Sequence, residues 1–167
     1  MTATTRGPAP VSALRRDQAV VIDCLRRLVR AIRRGGNEAE KRTGVSGAQL
    51  FVLQQLADGQ PKSMGEIAAR TLTHQSTVSV VVARLARKGL VVRHPDPADR
   101  RRVMLSLSAS GRTLLRRAPE PVQALLVESI AKLPPKDVKL LARHLRTLVR
   151  DVGAADHRVE MFLELAD

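Results

Sequence analysis

The spacing of apolar positions along the chain predicts a protein built mainly of helices. Leucine, valine and isoleucine recur every three or four residues over 12–41, which indicates one long amphipathic helix. Gly35-Gly36 falls near the end of that helix and should weaken or bend it. The same spacing predicts a second helix over 46–57 and a last long helix over 136–152. The long helices near the two ends therefore each present one apolar stripe.

The segment between these helices carries start and stop signals for two shorter helices. Ser63 and Glu66 form a capping box, in which each side chain bonds the backbone N–H of the other residue. A short helix should follow over 64–70. After a brief turn, the next helix should run over 74–88 and end where Gly89 takes the left-handed conformation. Two short helices joined in this way form a helix-turn-helix.

The second helix of this pair has two faces of different chemistry. Its inward stripe is predicted to be Val78, Val81, Val82 and Leu85. The opposite face is small and polar, so it could lie deep in a DNA major groove, where serines bond base edges and Val80 and Ala83 meet thymine methyl groups. The contacts expected from this helix are His74, Gln75, Ser76, Thr77, Ser79, Val80, Ala83, Arg84 and Arg87.

Two strand-like stretches, 91–94 and 101–107, predict a hairpin wing after the helix-turn-helix. The connection over 95–100 is rich in proline and aspartate, and arginines mark its return. Arginine is favoured in a narrow, electronegative minor groove. Asp99 and Arg101 are two apart at the start of a strand, so they share a face and can form a charge-assisted pair. The contacts expected from the wing are Asp99, Arg100, Arg101 and Arg102.

The composition supports a nucleic-acid partner and favours a duplex. The chain has 29 Lys and Arg against 16 Asp and Glu, a formal charge of +13, which suits a polyanion. Single strands are held mainly by stacking bases on aromatic side chains. The chain contains two phenylalanines, Phe51 and Phe162, and no Trp or Tyr. Double-stranded DNA is therefore the expected partner.

Other features of the sequence argue against several protein classes. The single cysteine, Cys24, excludes an intramolecular disulfide, and the four histidines show no metal-ligand spacing. No phosphate-binding loop or nucleophile motif is present, so neither an enzyme nor a bound metal or cofactor is expected. Residues 1–10 lack the apolar core of a signal peptide, and no run approaches a membrane span. The chain is expected to be a soluble cytoplasmic protein.

Four motifs occur in order along the chain: Gln75-Ser76-Thr77-Val78-Ser79, the run from Arg84 to Val91, the run from Asp96 to Arg101, and Leu105-Ser106-Leu107-Ser108 followed by Gly111. On these motifs, residues 12–152 resemble the MarR family of transcriptional regulators. The resemblance implies a mainly α fold with a small β-hairpin wing, as a winged helix-turn-helix plus a helical dimerisation region. It also implies a homodimer on a pseudo-palindromic operator, a repressor released by a small molecule, and an Asp99 that braces Arg101 in the minor groove. Pro119 and Pro121 depart from the family pattern, because they should kink or split a helix that is usually continuous.

The expected organisation follows from the elements and the resemblance together. It comprises a disordered tail over 1–11, a dimerisation helix over 12–45, the winged helix-turn-helix over 46–107, C-terminal dimerisation helices over 108–152 and a tail or short helix over 153–167.

The resemblance places an effector site between the DNA-reading unit and the dimerisation helices. Its expected residues are Leu28, Leu50, Phe51 and Arg112. Aliphatic and basic walls would suit a small organic anion. Two alternatives stay open. One is a thiol-based redox repressor that uses Cys24, although burial among apolar residues is the commoner state of such a thiol. The other is an architectural winged-helix protein without an effector or sequence preference.

Overall fold

The computed structural model describes residues 11–97, 99 and 102–154, with side chains from Leu14 onward. Most of the two expected tails, and Arg100 and Arg101 of the expected wing contacts, lie outside the described residues.

The described chain is mainly helical with one small sheet, which confirms the predicted fold class. Its elements are α1 Val11–Thr43, α2 Gly47–Gln54, β1 Lys62–Ser63, α3 Met64–Thr71, α4 Gln75–Arg87, β2 Val91–Pro95, β3 Val103–Leu107, α5 Ala109–Leu115, α6 Val122–Ala131 and α7 Pro135–Asp151.

The sheet contains the predicted hairpin and one strand that the sequence did not predict. Strands β2 and β3 pair antiparallel, with Val91 opposite Leu107 and Pro95 opposite Val103. Strand β1 adds to the other edge of β3, where Lys62 lies opposite Leu105. A strand of two residues is too short to show the alternation by which strands are recognised. Since β1 leads directly into α3, it joins the wing to the helix-turn-helix.

The hydrophobic core is organised around α2. All residues from Gly47 to Leu53 are buried, so this helix is surrounded on every side. The predicted inward stripe of α4 packs into the same core, and Leu105 of β3 joins it; all of these side chains are fully buried. The core thus joins the helix-turn-helix, the wing and the end of α1 into one body.

Gly35 has a packing role in α1. The helix runs through Gly35-Gly36 to Thr43, close to the predicted end at residue 41. A Cβ on Gly35 would overlap a methyl group of Val122 in α6. Glycine at this position therefore allows α6 to approach α1 closely.

The predicted split at Pro119 and Pro121 is confirmed. Helix α5 ends at Leu115, and α6 begins at Val122 with Pro121 in the N-cap position. Proline at the start of a helix removes no hydrogen bond, whereas proline in its interior would.

The two longest helices leave their apolar stripes uncovered. No residue of α7 is buried. Its stripe comprises Leu140, Leu141, Leu145, Leu148 and Val149, which are 39–45% exposed. The stripe of α1 comprises Leu14, Val21, Leu25, Leu28 and Val29, which are 36–55% exposed. Contiguous apolar surface of this kind is typical of an interface.

Gly111 provides a stability test of the packing between α5 and the end of α4. A Cβ at Gly111 would overlap the carbonyl oxygen of Leu90, a backbone atom that cannot rotate away. We expect Gly111→Ala to lower the free energy of unfolding by about 1–3 kcal/mol, the usual cost of overpacking. Gly36→Ala is the matched control, because nothing lies within 4 Å of its Cβ position. It should stabilise the helix by roughly 0.5–1 kcal/mol. Urea denaturation of both variants measures this, and equal stability of Gly111→Ala and the parent would contradict the close approach.

Candidate nucleic-acid interface

The capping box at the start of α3 is confirmed. The Glu66 backbone N–H donates to Ser63 Oγ at 3.3 Å, and the Ser63 backbone N–H donates to Glu66 Oε2 at 2.7 Å. Hydrogen bonds from the Ser63 side chain and backbone hold the pKa of the Glu66 carboxyl below its usual value. The first turn of α3 is thus fixed by its own side chains, which sets the direction of the helix-turn-helix.

The turn between α3 and α4 depends on an unusual backbone conformation. Leu72 has φ 53° and ψ 40°, a left-handed conformation that is uncommon for a residue other than glycine. The Thr73 N–H donates back to the Ala68 carbonyl at 3.0 Å, and Thr71 Oγ1 donates to the Ile67 carbonyl at 2.8 Å. This turn ends α3 abruptly and redirects the chain into α4. The turn lies where it was predicted, between the helices over 64–70 and 74–88, whereas a left-handed leucine at its centre could not be predicted from the residue type.

Helix α4 presents the outward face that its sequence predicted. Val80 is 51% exposed, opposite the four buried residues of the inward stripe. Most of the other predicted contact residues are exposed as well; these are His74, Gln75, Ser76, Ser79 and Arg87. Thr77, Ala83 and Arg84 are half-buried at the margins of the face. The surface is therefore small, polar and weakly basic, with one uncovered apolar side chain near its centre.

The C-terminal end of α4 is fastened on two sides. Lys88 Nζ donates to the Gly44 carbonyl at 2.6 Å, which ties α4 to the end of α1. Gly89 takes the predicted left-handed conformation with φ 67°. Ser108 Oγ then donates to the Gly89 carbonyl at 2.7 Å, and the Ser108 N–H donates to the Leu90 carbonyl at 3.0 Å. The orientation of α4 is thereby linked to both α1 and α5.

The tip of the wing is closed by backbone hydrogen bonds. The Arg102 N–H donates to the Asp99 carbonyl at 2.8 Å, and the Asp96 N–H donates to the Arg102 carbonyl at 3.0 Å. Asp99 is half-buried and Arg102 is exposed. Strand β3 begins at Val103 in the described chain, and residue 101, where the strand was predicted to begin, lies outside the described residues.

A buried lysine anchors the base of the wing, and sequence reasoning missed it. The Lys62 side chain is 5% exposed and donates to both carboxylate oxygens of Asp58, with a distance of 2.6 Å to Oδ2. The hydrogen bond from Lys62 is the main reason that the pKa of the Asp58 carboxyl lies below its usual value. Arg70 of α3 lies 3.9 Å from the same carboxylate. Asp58 therefore links β1 to α3, because its carboxylate pairs with Lys62 of β1 and with Arg70 of α3.

The four predicted effector residues have different environments. Leu50 and Phe51 are buried in the core, whereas Leu28 is 45% exposed on α1. Arg112 Nη1 donates to the Leu107 carbonyl at 2.8 Å, at the end of β3. Cys24 is exposed, which corrects the expectation of a buried thiol: its helix face is not covered within one chain.

Two cavities lie near the predicted effector region. One has a volume of about 400 Å³ and is lined by Phe51, Arg70, Glu120 and Glu128 among others. The second has a volume of about 540 Å³, lies between the end of α1 and α5, and is lined by Arg42 and Arg117 among others.

Within the described part of the chain, no cluster of three or more His, Cys, Asp or Glu residues could hold a metal ion. None of its helices is long and apolar enough to cross a membrane.

Comparison with known proteins identifies the same segment. A model of the MarR family matches residues 43–102, from the end of α1 to the return of the wing. The transcriptional repressor NicR of Pseudomonas putida is 38% identical over 71 residues, which are 42% of this chain and 45% of NicR. The chain spans 45–62% of the length of the first curated relatives that it matches.

Solved structures resemble a larger part of the chain. Sco3205 of Streptomyces coelicolor, a MarR family regulator in complex with DNA, has a TM-score of 0.61 at 23% identity and shows the same fold. The comparison covers 93% of this chain and 98% of Sco3205. BpsR of Bordetella bronchiseptica, whose DNA binding is regulated by 6-hydroxynicotinic acid, has a TM-score of 0.54 at 25% identity. That comparison covers 90% of this chain and 100% of BpsR.

Proposed function

We propose that this chain is a MarR-type transcriptional regulator that binds duplex DNA sequence-specifically. The observation that carries the proposal is the outward face of α4, where Val80 is 51% exposed among small polar side chains. A helix with such a face fits a major groove, because short side chains let its backbone approach the base edges. The rigid attachment of α4 to the core and to both neighbouring helices would hold it in a fixed orientation for reading.

The repressor role is supported by the similarity to NicR, which is itself a transcriptional repressor. A protein with two copies of α4 placed about 34–36 Å apart would read two half-sites one helical turn apart. Occupation of such a site within a promoter blocks transcription sterically. We therefore propose a pseudo-palindromic operator.

Val80 provides the test of the recognition face. Val80→Glu places a carboxylate against the base edges and phosphates, and we expect it to abolish specific operator binding while leaving the thermal midpoint unchanged, because Val80 lies outside the core. Gln60→Glu adds the same charge at an exposed position in the turn before β1. Fluorescence anisotropy with operator and scrambled duplexes measures both variants.

The control should bind operator nearly as tightly as the parent. A folded Val80→Glu protein with parental operator affinity would contradict the assignment of α4 as the reading helix. A parent protein that binds the operator and the scrambled duplex equally would instead favour the architectural alternative, since specificity is the ratio of the two affinities.

We propose that a second copy of this chain covers the apolar stripes of α1 and α7. Each of the two stripes comprises five exposed apolar side chains, and no residue of α7 is buried within the chain. Exposure of this much apolar surface is unfavourable by roughly 25 cal/mol per Å². A homodimer through these helices would remove that surface from water and place two copies of α4 on one DNA duplex.

Leu145 provides the test of this interface. It is 41% exposed at the middle of the α7 stripe, and Leu145→Glu would place an unpaired charge there. We expect the variant to sediment as a monomer of 18.3 kDa at concentrations where the parent sediments at twice that mass. Lys139→Gln, which changes the net charge by the same amount at an exposed position on the opposite face of α7, should leave the dimer intact. A parent that sediments only as a monomer at micromolar concentration would refute the proposed dimer.

We propose further that Arg101 enters the minor groove and that Asp99 holds it in position, while Arg100 and Arg102 contact phosphates. Asp99 is half-buried and already takes part in an interaction, which suits a bracing role better than a free surface charge. Such a contact would hold the long Arg101 side chain in place before DNA binds, so less conformational entropy would be lost on binding.

The direction of the Asp99→Ala effect separates bracing from simple electrostatics. Removal of an acid raises the net positive charge, so charge alone predicts tighter binding to DNA. We expect Asp99→Ala to bind the operator more weakly instead. Its loss of binding free energy should be a fraction of the loss caused by Arg101→Ala, which should be about 1–3 kcal/mol. Titrations at one fixed salt concentration, with Asp96→Ala as the control for the change in net charge, measure the difference. Tighter operator binding by Asp99→Ala would show that Asp99 is only a turn residue.

We propose that a small organic anion releases the operator. The proposal is supported by the basic character of the chain and by BpsR, whose DNA binding responds to 6-hydroxynicotinic acid. Leu28, Leu50, Phe51 and Arg112 remain the residues predicted for this site.

A further inference from the structure

We infer that residues 155–167 dock as a helix on the basic face of α1, antiparallel to it, and that the docked segment keeps other polyanions off this face. Residues 155–167 lie outside the described residues, whereas the face on which they would dock is formed by described residues of α1. The contact would not depend on recognition of an operator.

One side of α1 carries a stripe of unpaired cations. Arg26, Arg30 and Arg34 follow one another at four-residue spacing, with Arg33 beside them, and all four are exposed. Among the described residues, none of these four arginines forms an ion pair, whereas the neighbouring Arg27 does. Like charges four residues apart repel each other and destabilise a helix. An acidic partner along this stripe would therefore stabilise α1.

Apolar surface lies beside these arginines. Ile22 and Val29 are 47% and 43% exposed, and they line one groove together with Arg26, Arg30 and Arg33. Every residue that lines this groove belongs to α1, so no other element of the described chain covers it. The face thus has an apolar edge and a basic flank. Its apolar edge lies at the margin of the stripe that is proposed to meet a second copy.

The sequence of residues 155–167 has the complementary pattern. It contains one arginine and four acidic residues, which helical spacing would place on one flank: Asp156, Glu160, Glu164 and Asp167. Apolar residues recur beside that flank at three- and four-residue spacing: Val159, Phe162, Leu163 and Ala166. A helix of this length is about 20 Å long, which equals the length of α1 over 22–34. The two segments match in length and in apolar pattern, and their charges are opposite.

The order of the stripes around each helix sets their relative orientation. In both segments the charged stripe follows the apolar stripe in the same rotational sense along the chain. Two such helices packed face to face bring their charged stripes together only when they run antiparallel, since charged flanks decide orientation. With the segments aligned end to end, Glu160 lies near Arg30, and Glu164 lies near Arg26.

The end of α7 separates this segment from the preceding helix. Gly153 has φ 71°, and the Ala154 N–H donates back to the Val149 carbonyl at 2.9 Å. A left-handed cap of this kind ends a helix and changes the direction of the chain. A helix over 155–167 would therefore be an element separate from α7.

Docking would cover cations that otherwise attract polyanions. A patch of free arginines binds phosphate groups without regard to sequence, and this binding weakens as the salt concentration rises. An acidic segment linked to the same molecule has an effective concentration far above that of a free competitor. A polyanion would have to displace this segment before it could bind α1.

Hydrogen exchange of the full chain tests the contact. We expect the amides of residues 155–167 to exchange at least about 10-fold more slowly in the parent than in the double variant Arg26→Glu with Arg30→Glu, because docking protects them and the variant repels the segment. Addition of Glu160→Arg and Glu164→Arg should restore the protection, since both charges of each pair are then exchanged.

The matched control is Arg143→Glu with Arg146→Glu, which changes the net charge equally at exposed positions of α7. It should keep the parental exchange rates, and circular dichroism should show the parental helix content for every variant. Exchange over 155–167 as fast in the parent as in an unfolded chain would overturn the docked segment. So would protection that survives in Arg26→Glu with Arg30→Glu. A dimeric parent with an unprotected segment would assign the face to the second copy and also overturn the proposal.

Heparin binding tests the consequence of docking. Glu160→Gln with Glu164→Gln should bind heparin about 10-fold more tightly than the parent, because the basic face becomes free. Glu120→Gln with Glu128→Gln makes the same change in net charge at exposed positions and should bind heparin almost like the parent. Equal tightening in the two double variants would show that net charge alone acts, and would overturn the shielding. Neither measurement contains an operator, so its failure is distinct from a failure of the proposed function.

Discussion

The burial of α2 holds the rest of the described structure together. All residues of this helix from Gly47 to Leu53 are buried, so it must be covered by several neighbours at once. The end of α1, the inward stripe of α4, and the helices α3, α5 and α6 supply that cover. Because α4 packs on the same core as the helices that lead towards the two ends of the chain, a shift of one of these helices would require the others to repack.

The sequence predicted the elements whose signals are local and regular. The valine stripe of α4, the capping box at Ser63 and the split at Pro119 and Pro121 all have the predicted form. Each depends on residues within one or two helical turns, where spacing determines which side chains meet. The outward face of α4, the main part of the candidate site, could be located for the same reason.

The features that the sequence did not predict depend on contacts between distant segments or on exceptional backbone geometry. Strand β1 exists because Lys62 meets Leu105 in β3, and no local pattern marks two residues as a strand. Leu72 takes a left-handed conformation at the end of α3, although leucine does not favour it. The burial of Lys62 could not be expected, since a lysine is rarely buried unless it is paired. Cys24 is exposed because a single chain leaves that face of α1 without a neighbour.

The uncovered α7 has a consequence for how the protein behaves as its amount in a cell changes. A 17-residue helix that buries none of its residues lacks the packing that normally offsets the entropy lost on ordering its backbone. If the missing packing comes from a second copy, ordering of α7 and association become a single event, and the ordered fraction rises with protein concentration. A gene controlled by such a protein would then respond to dilution during growth as well as to any ligand. The activity of the protein would then depend on its own concentration.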